Sequence, residues 1–216
     1  HFLRDVIIGM EDGITVSIAF IAGTTVLFQN NDFILAGGTI VVILLSIAMG
    51  ISGWISGLGE QRYYYHEISK IDSPDGYDAA ERADRLKFYE SIGFPEEMRQ
   101  PAMIEIDDDN KKWIEFLRKF DLGPASHGSG ENLKRGLIIG FSYALGGLIP
   151  LAAFIIEKEP GRVIFYSIAS ALVVLLILGY FKSKLTGNHP FSTVMSVMLS
   201  GGVVAICLHF IALLFK

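Results

Sequence analysis

The sequence has few of the residues and motifs on which soluble enzymes commonly depend. It contains one cysteine in 216 residues, Cys207, so it can form no disulfide within the chain. It has no Gly-x-Ser-x-Gly, P-loop or Gly-x-Gly-x-x-Gly motif, no Cys/His pair with zinc spacing and no Glu-x-x-His pair. It also has no basic stripe that would suggest nucleic acid. We therefore expect a protein that is not an enzyme, needs no cofactor and does not bind nucleic acid.

Charge is scarce and is concentrated in one part of the chain. Charged residues make up 19% of the sequence, below the ~25% that is usual for soluble domains, and hydrophobic residues make up 51%. The interval 58–130 holds 16 of the 23 acids and 10 of the 18 bases, which gives it a net charge of −6. This distribution predicts a membrane protein that carries one acidic, soluble insert.

Five apolar runs are long enough to cross a hydrocarbon core of ~30 Å as helices. They are residues 6–28, 33–58, 136–156, 163–181 and 191–215. A helix is expected for each, because a lone strand in lipid cannot satisfy its backbone hydrogen bonds. We predict an all-α membrane protein with two transmembrane helices in 1–58, a helical domain in 59–130, and three transmembrane helices in 131–216.

Basic residues near the ends of the spans predict the orientation. Arg4 precedes the first span, Lys134 and Arg135 precede the third, and Lys182 and Lys184 lie between the fourth and fifth. The 29–32 turn has no Lys or Arg. Since basic residues are enriched on the cytosolic side, the insert is expected to be cytosolic.

Two adjacent carboxylates, Glu11 and Asp12, interrupt the first apolar run. A carboxylate at the centre of a membrane helix costs roughly 2.5–3.5 kcal/mol, so such a residue usually faces a bundle interior, a water-filled path or a cation. The alternative is that both lie at the headgroup level and stabilise the helix N-terminus, where the helix dipole favours anions. The pattern leaves both interpretations open.

Other polar or unusual residues lie inside the remaining spans. Gly146, Gly147 and Pro150 predict that the third span is broken or bent beside a functional site, because proline removes a backbone hydrogen bond. Met49 in the second span offers a thioether that suits a transition ion, or it simply packs. His209 in the last span is interpreted as an interhelical hydrogen-bond donor in preference to a proton relay.

The insert reads as short helices, at 60–71, 77–92 and 95–103 and again near Trp113, with many acids. Pairs of acids share helical faces, seven residues apart or three residues apart. Carboxylates that converge between helices could bind a divalent cation, whereas the alternative is a solvated acidic surface. The candidate ligands in the insert are Glu60, Glu67, Glu81, Asp84, Glu90 and Asp121.

Three segments resemble the vacuolar iron transporter family, which includes vacuolar iron and manganese importers and nodulin-like relatives. Residues 2–15 are similar to its opening Leu-Arg, Gly and Asp-Gly pattern, 142–151 to its third-span signature, and 113–123 to the end of its soluble domain. The order of spans and insert also agrees over the whole chain.

The resemblance implies a homodimer in which the first spans line a path for iron(II) or manganese(II). The metal would move out of the cytosol, and proton exchange would drive its movement. Asp12 matches the path-lining aspartate, Met49 the second-span methionine, and the insert a metal-collecting domain. The membrane would be vacuolar in a eukaryote and the cell membrane in a prokaryote.

The sequence departs from the family pattern at several positions. Gly53 stands where the family usually has a glutamate, Leu117 and Arg118 where it has a methionine pair, Asp121 where a glutamate follows that pair, and Glu11 where a neutral polar residue is common. These departures leave an alternative function, namely a non-transporting membrane protein whose acidic insert binds metal or a partner.

Overall fold

The computed structural model describes residues 2–71, 86–107 and 129–215, and these residues are helical almost throughout. No strand occurs within these ranges. The six long helices are α1 (Phe2–Leu27), α2 (Asn31–Ile71), α3 (Glu96–Asp107), α4 (Ser129–Ile156), α5 (Pro160–Thr186) and α6 (Pro190–Leu213). The prediction of an all-α protein is confirmed.

Five of these helices are long and apolar enough to cross a membrane. Their candidate spans are Phe2–Leu27, Asn31–His66, Gly130–Ile156, Gly161–Thr186 and Pro190–Leu213. Each overlaps one of the five apolar runs that the sequence predicts, and the runs 6–28 and 191–215 end one and two residues past their spans. The chain is therefore a multi-pass membrane protein.

The chain divides into two compact units, one formed by His1–Ser56 with Gly130–Lys216 and the other by Gly57–Ser129. In the second unit, α2 continues past the apolar run to Ile71, as predicted. A helical segment at 86–91 is followed by a turn at Gly93, whose φ of 86° is the left-handed conformation that favours glycine. Tyr89 of this segment is fully buried, and its ring centroid lies 5.4 Å from that of Phe94.

The first unit is organised around α1, which contacts all four other spans. Near its N-terminal half, Ile7 and Ile14 pack against α5 and α6. Near its C-terminal half, Ile21 packs against α2, α4 and α5. The partners in these two apolar clusters are Ala171, Leu175, Leu178 and Val197 in the first, and Ile34, Val42, Leu151, Phe154 and Val163 in the second.

Polar contacts at one end of the bundle join the α1–α2 turn to the α4–α5 link. The Asn31 side-chain amide donates to the Lys158 carbonyl oxygen at 2.9 Å, and Lys158 Nζ lies 3.3 Å from Asp32 Oδ1. In the same link, Glu157 accepts hydrogen bonds from the backbone N–H groups of Glu159 and Lys158, which hold the pKa of Glu157 below its usual value. These contacts place both connections on the same side of the membrane.

Helix α4 runs from Ser129 to Ile156 without interruption, so the span is not broken at Pro150, and the alternative, a bend at this point, stays a prediction. Pro150 is fully buried, and its carbonyl oxygen accepts a 2.8 Å hydrogen bond from Ser167 Oγ of α5. Packing against neighbouring helices can keep a proline-containing segment helical in a membrane protein. The apolar neighbours of Pro150, Leu151 and Phe154, supply that packing.

Candidate ion-path residues on the first helix

Asp12 lies in the N-terminal half of the α1 span and is exposed on the protomer, whereas the next two residues, Gly13 and Ile14, are buried. Ile8, one turn earlier on the same side of the helix, is 38% exposed. A carboxylate and an isoleucine therefore share an outward face of α1 inside an apolar span.

Two glycines determine which side of α1 faces outward. A Cβ atom at Gly13 would overlap the Tyr143 carbonyl oxygen of α4, and one at Gly9 would overlap the Ile139 carbonyl oxygen. Only glycine allows α1 and α4 to approach this closely. Because each exposed residue directly precedes a packed glycine, the contact with α4 turns Asp12 away from the protomer core.

Glu11 points in a different direction and forms an ion pair with α5. Lys182 Nζ lies 2.8 Å and 3.1 Å from the two carboxylate oxygens of Glu11. The Glu11 side chain is 14% exposed and the Lys182 side chain 38% exposed. From the sequence, Lys182 indicates only orientation, and its pairing with Glu11 was not predicted.

A second acid of α1, Asp5, was also missed. Its side chain is 4% exposed, and its Oδ1 lies 3.6 Å from Arg135 Nε and 3.8 Å from Arg4 Nε. The Arg135 contact joins the N-terminal ends of α1 and α4. The available signal was an aspartate at the edge of the first apolar run and an arginine at the edge of the third.

The α2–α4 contact explains what Gly53 does in this chain. A Cβ at Gly53 would lie 2.8 Å from Ile139 Cδ1 and 3.4 Å from the Gly136 Cα, so the position serves close packing. One turn away, Gly50 of α2 lies similarly close to Gly140 of α4. A side chain at position 53 would have to displace Ile139 Cδ1, the flexible end of an α4 side chain.

The predicted membrane residues are brought together only in part. Asp12 and Glu11 are adjacent on α1, and Gly147 packs close by on α4, where its carbonyl oxygen accepts a 2.7 Å hydrogen bond from Ser17 Oγ. Met49 is half-buried on α2, two turns from Val42, whose methyl groups contact Gly147. Pro150 is fully buried in the core and has no exposed surface for an ion.

The candidate ligands of the insert do not form a cluster in the part of the chain that the structure describes. Glu60 and Glu90 are both exposed, and Glu90 lies 3.7 Å from Arg99. Among the described residues no three His, Cys, Asp or Glu side chains lie close enough to hold a metal ion. Glu81, Asp84, Asp121 and the side chain of Glu67 lie outside the described residues.

His209 contacts the backbone of another span. Its Nδ1 lies 3.2 Å from the Ala22 carbonyl oxygen of α1, so a ring protonated at Nδ1 donates a hydrogen bond between α6 and α1. This geometry agrees with the interpretation of His209 as an interhelical donor.

Comparison with known proteins finds relatives that match nearly the whole chain. A sequence model of the VIT family matches residues 3–213. Vacuolar iron transporter 2 of Oryza sativa subsp. japonica is 30% identical over 207 residues, which cover 94% of this chain and 83% of the relative. Vacuolar iron transporter 1 of Arabidopsis thaliana is 28% identical over 209 residues, covering 95% and 82%. Protein CCC1 of Saccharomyces cerevisiae is 28% identical over 213 residues, covering 94% and 66%. The chain belongs to the VIT family.

Proposed function

We propose that this protein moves iron(II) or manganese(II) across a membrane, out of the cytosol and in exchange for protons. Membership of the VIT family supports transport, because several relatives carry the name vacuolar iron transporter. The membrane would be vacuolar in a eukaryote and the cell membrane in a prokaryote, with the insert on the cytosolic side.

The observation that carries the proposal is the exposure of Asp12 on the protomer within an apolar span. A carboxylate facing lipid costs up to roughly 2.5–3.5 kcal/mol, the value at the centre of a span. That cost is avoided if the face formed by Ile8 and Asp12 meets the same face of a second copy around a hydrated path. The protein would then be a homodimer, with one Asp12 from each protomer beside the passing ion.

The residues near this face suit a divalent transition ion. Carboxylate oxygens bind Mn²⁺ and Fe²⁺, and a thioether favours softer ions over Mg²⁺ or Ca²⁺. Asp12 would supply the oxygens, and Met49 would supply the thioether if α2 brings it to the path. A carboxylate that releases its ion can accept a proton, so alternate loading with metal and proton at Asp12 or Glu11 would couple the two fluxes.

Uptake of Mn(II), and of Fe(II) under reducing conditions, into proteoliposomes with an imposed pH gradient tests the proposal. We expect Asp12→Asn to abolish uptake. Asp32→Asn changes an exposed acid near the other end of α1 and should leave uptake intact. Stability should hold or rise in Asp12→Asn, because a charge is removed from the span. Wild-type uptake by Asp12→Asn would contradict the proposed path. Metal binding without uptake by the wild type would instead favour a non-transporting protein whose insert binds metal or a partner.

A further inference from the structure

Glu11 and Lys182 introduce one negative and one positive charge beside Asp12. The ammonium group contacts both Glu11 oxygens, at 2.8 Å and 3.1 Å, and the pair is partly shielded from solvent. Both side chains belong to apolar spans, where the effective dielectric is low and charges act strongly on their neighbours. Asp12 directly follows Glu11 on α1, so the ion pair lies beside it.

We propose that Lys182 is a tethered counter-cation that determines how tightly the ion path of α1 holds a divalent metal. The inference rests on the proposed function, since it places the metal beside Asp12. With the pair intact, Glu11, Asp12 and Lys182 together carry a net charge of −1 in each protomer. Two protomers that face each other would carry −2, which balances a single divalent ion.

Lys182 acts on the ion through charge, and Glu11 is its anchor. If Lys182 were neutral, each protomer would present two uncompensated carboxylates, which would bind the cation more tightly and release it more slowly. If Glu11 were neutral, Lys182 would compensate Asp12 and weaken binding. Loss of both charges would return the net charge to −1. An ion pair that only holds α1 against α5 predicts none of this ordering.

The test is a charge cycle of Lys182→Gln, Glu11→Gln and the double variant, in the full-length protein. We expect the apparent KM for Mn(II) uptake to fall about tenfold in Lys182→Gln and to rise about tenfold in Glu11→Gln, because each change alters the charge beside the ion by one unit. The maximal rate of Lys182→Gln should also fall, since release slows. The double variant should return towards the wild-type KM.

Lys184→Gln is the matched control, because it removes the same charge from the same helix two residues away. Lys182→Arg keeps the charge and should retain the wild-type KM. Equilibrium Mn(II) binding is measured on the same variants, taking the component that Asp12→Asn removes. If the wild type binds Mn(II) there but does not transport it, the proposed function fails, and the order of affinities still tests the inference.

Three results would overturn the inference. These are an unchanged affinity in both single variants, a shift of the affinity in the same direction in both single variants, and no Mn(II) binding component that depends on Asp12. Equal losses of thermal stability with unchanged affinity would identify the pair as a structural tie between α1 and α5.

Discussion

The Ser17 hydroxyl of α1 donates a 2.7 Å hydrogen bond to the Gly147 carbonyl oxygen of α4, and both groups are buried. On its other side, Gly147 faces the two methyl groups of Val42 on α2. Three spans therefore meet at one glycine, between one and two turns beyond Asp12 along α1.

Removing the Ser17 hydroxyl should weaken the junction between α1 and α4. We expect Ser17→Ala to cost about 1 kcal/mol, which is typical of a hydrogen bond made within a protein. Ser200→Ala is the control, because the Ser200 hydroxyl bonds only to the Val197 carbonyl oxygen of its own helix. The apparent Tm of the two variants in detergent decides the matter, and equal Tm values would contradict the assigned role of Ser17.

A larger residue at Gly147 should separate the three spans. A Cβ there would lie 2.8 Å from both Val42 methyl groups and 3.1 Å from Ser17 Oγ, so Gly147→Leu should lower the apparent Tm and block uptake. Gly202→Leu is the control, since a Cβ at Gly202 meets no atom within 4 Å. Pro150→Ala should be milder, because it restores a backbone donor in an unbroken helix. Normal uptake by Gly147→Leu would show that transport does not depend on this junction.

Removing one partner of the Asp5–Arg135 contact should cost more stability than replacing both partners. Among the described residues, Arg135→Met leaves Arg4, 3.8 Å away, as the remaining cation beside the buried Asp5 carboxylate, and we expect a loss of about 3–5 kcal/mol. Adding Asp5→Asn to Arg135→Met should recover part of this loss, because the unpaired buried charge disappears. Thermal denaturation of the single and double variants measures both effects. A double variant less stable than Arg135→Met would rule out a charge-pair explanation.

The acids of the insert remain predicted metal ligands. In an Asp12→Asn background, calorimetry should detect Mn(II) binding that Glu81→Gln combined with Asp84→Asn weakens severalfold. The binding should be lost as the pH falls through about 4–5, because protons compete for the same carboxylate oxygens. It should be weaker than at a site with thioethers, since Leu117 and Arg118 replace the expected methionines. No heat of binding at millimolar Mn(II) would favour partner docking by the insert.

The five spans could be predicted because hydropathy is a local property of the chain, and the acid in an apolar run identified Asp12 for the same reason. The pairing of Glu11 with Lys182 and of Asp5 with Arg135 could not, because each joins residues more than a hundred positions apart. Such pairing depends on the relative rotation of packed helices. Of the two alternatives at Pro150, a break or a bend, the break does not occur, because the contacts of its neighbours outweigh one missing backbone hydrogen bond.

The alternation of packed glycine and exposed neighbour on α1 separates two kinds of sequence change. Gly9 and Gly13 cannot grow without displacing α4, whereas Ile8 and Asp12 can change without touching that contact. Positions 8 and 12 are thus open to variation that alters the chemistry of the outer face while the bundle stays as it is. A library restricted to these two positions should yield mostly folded bundles, with metal uptake retained only where position 12 keeps a carboxylate.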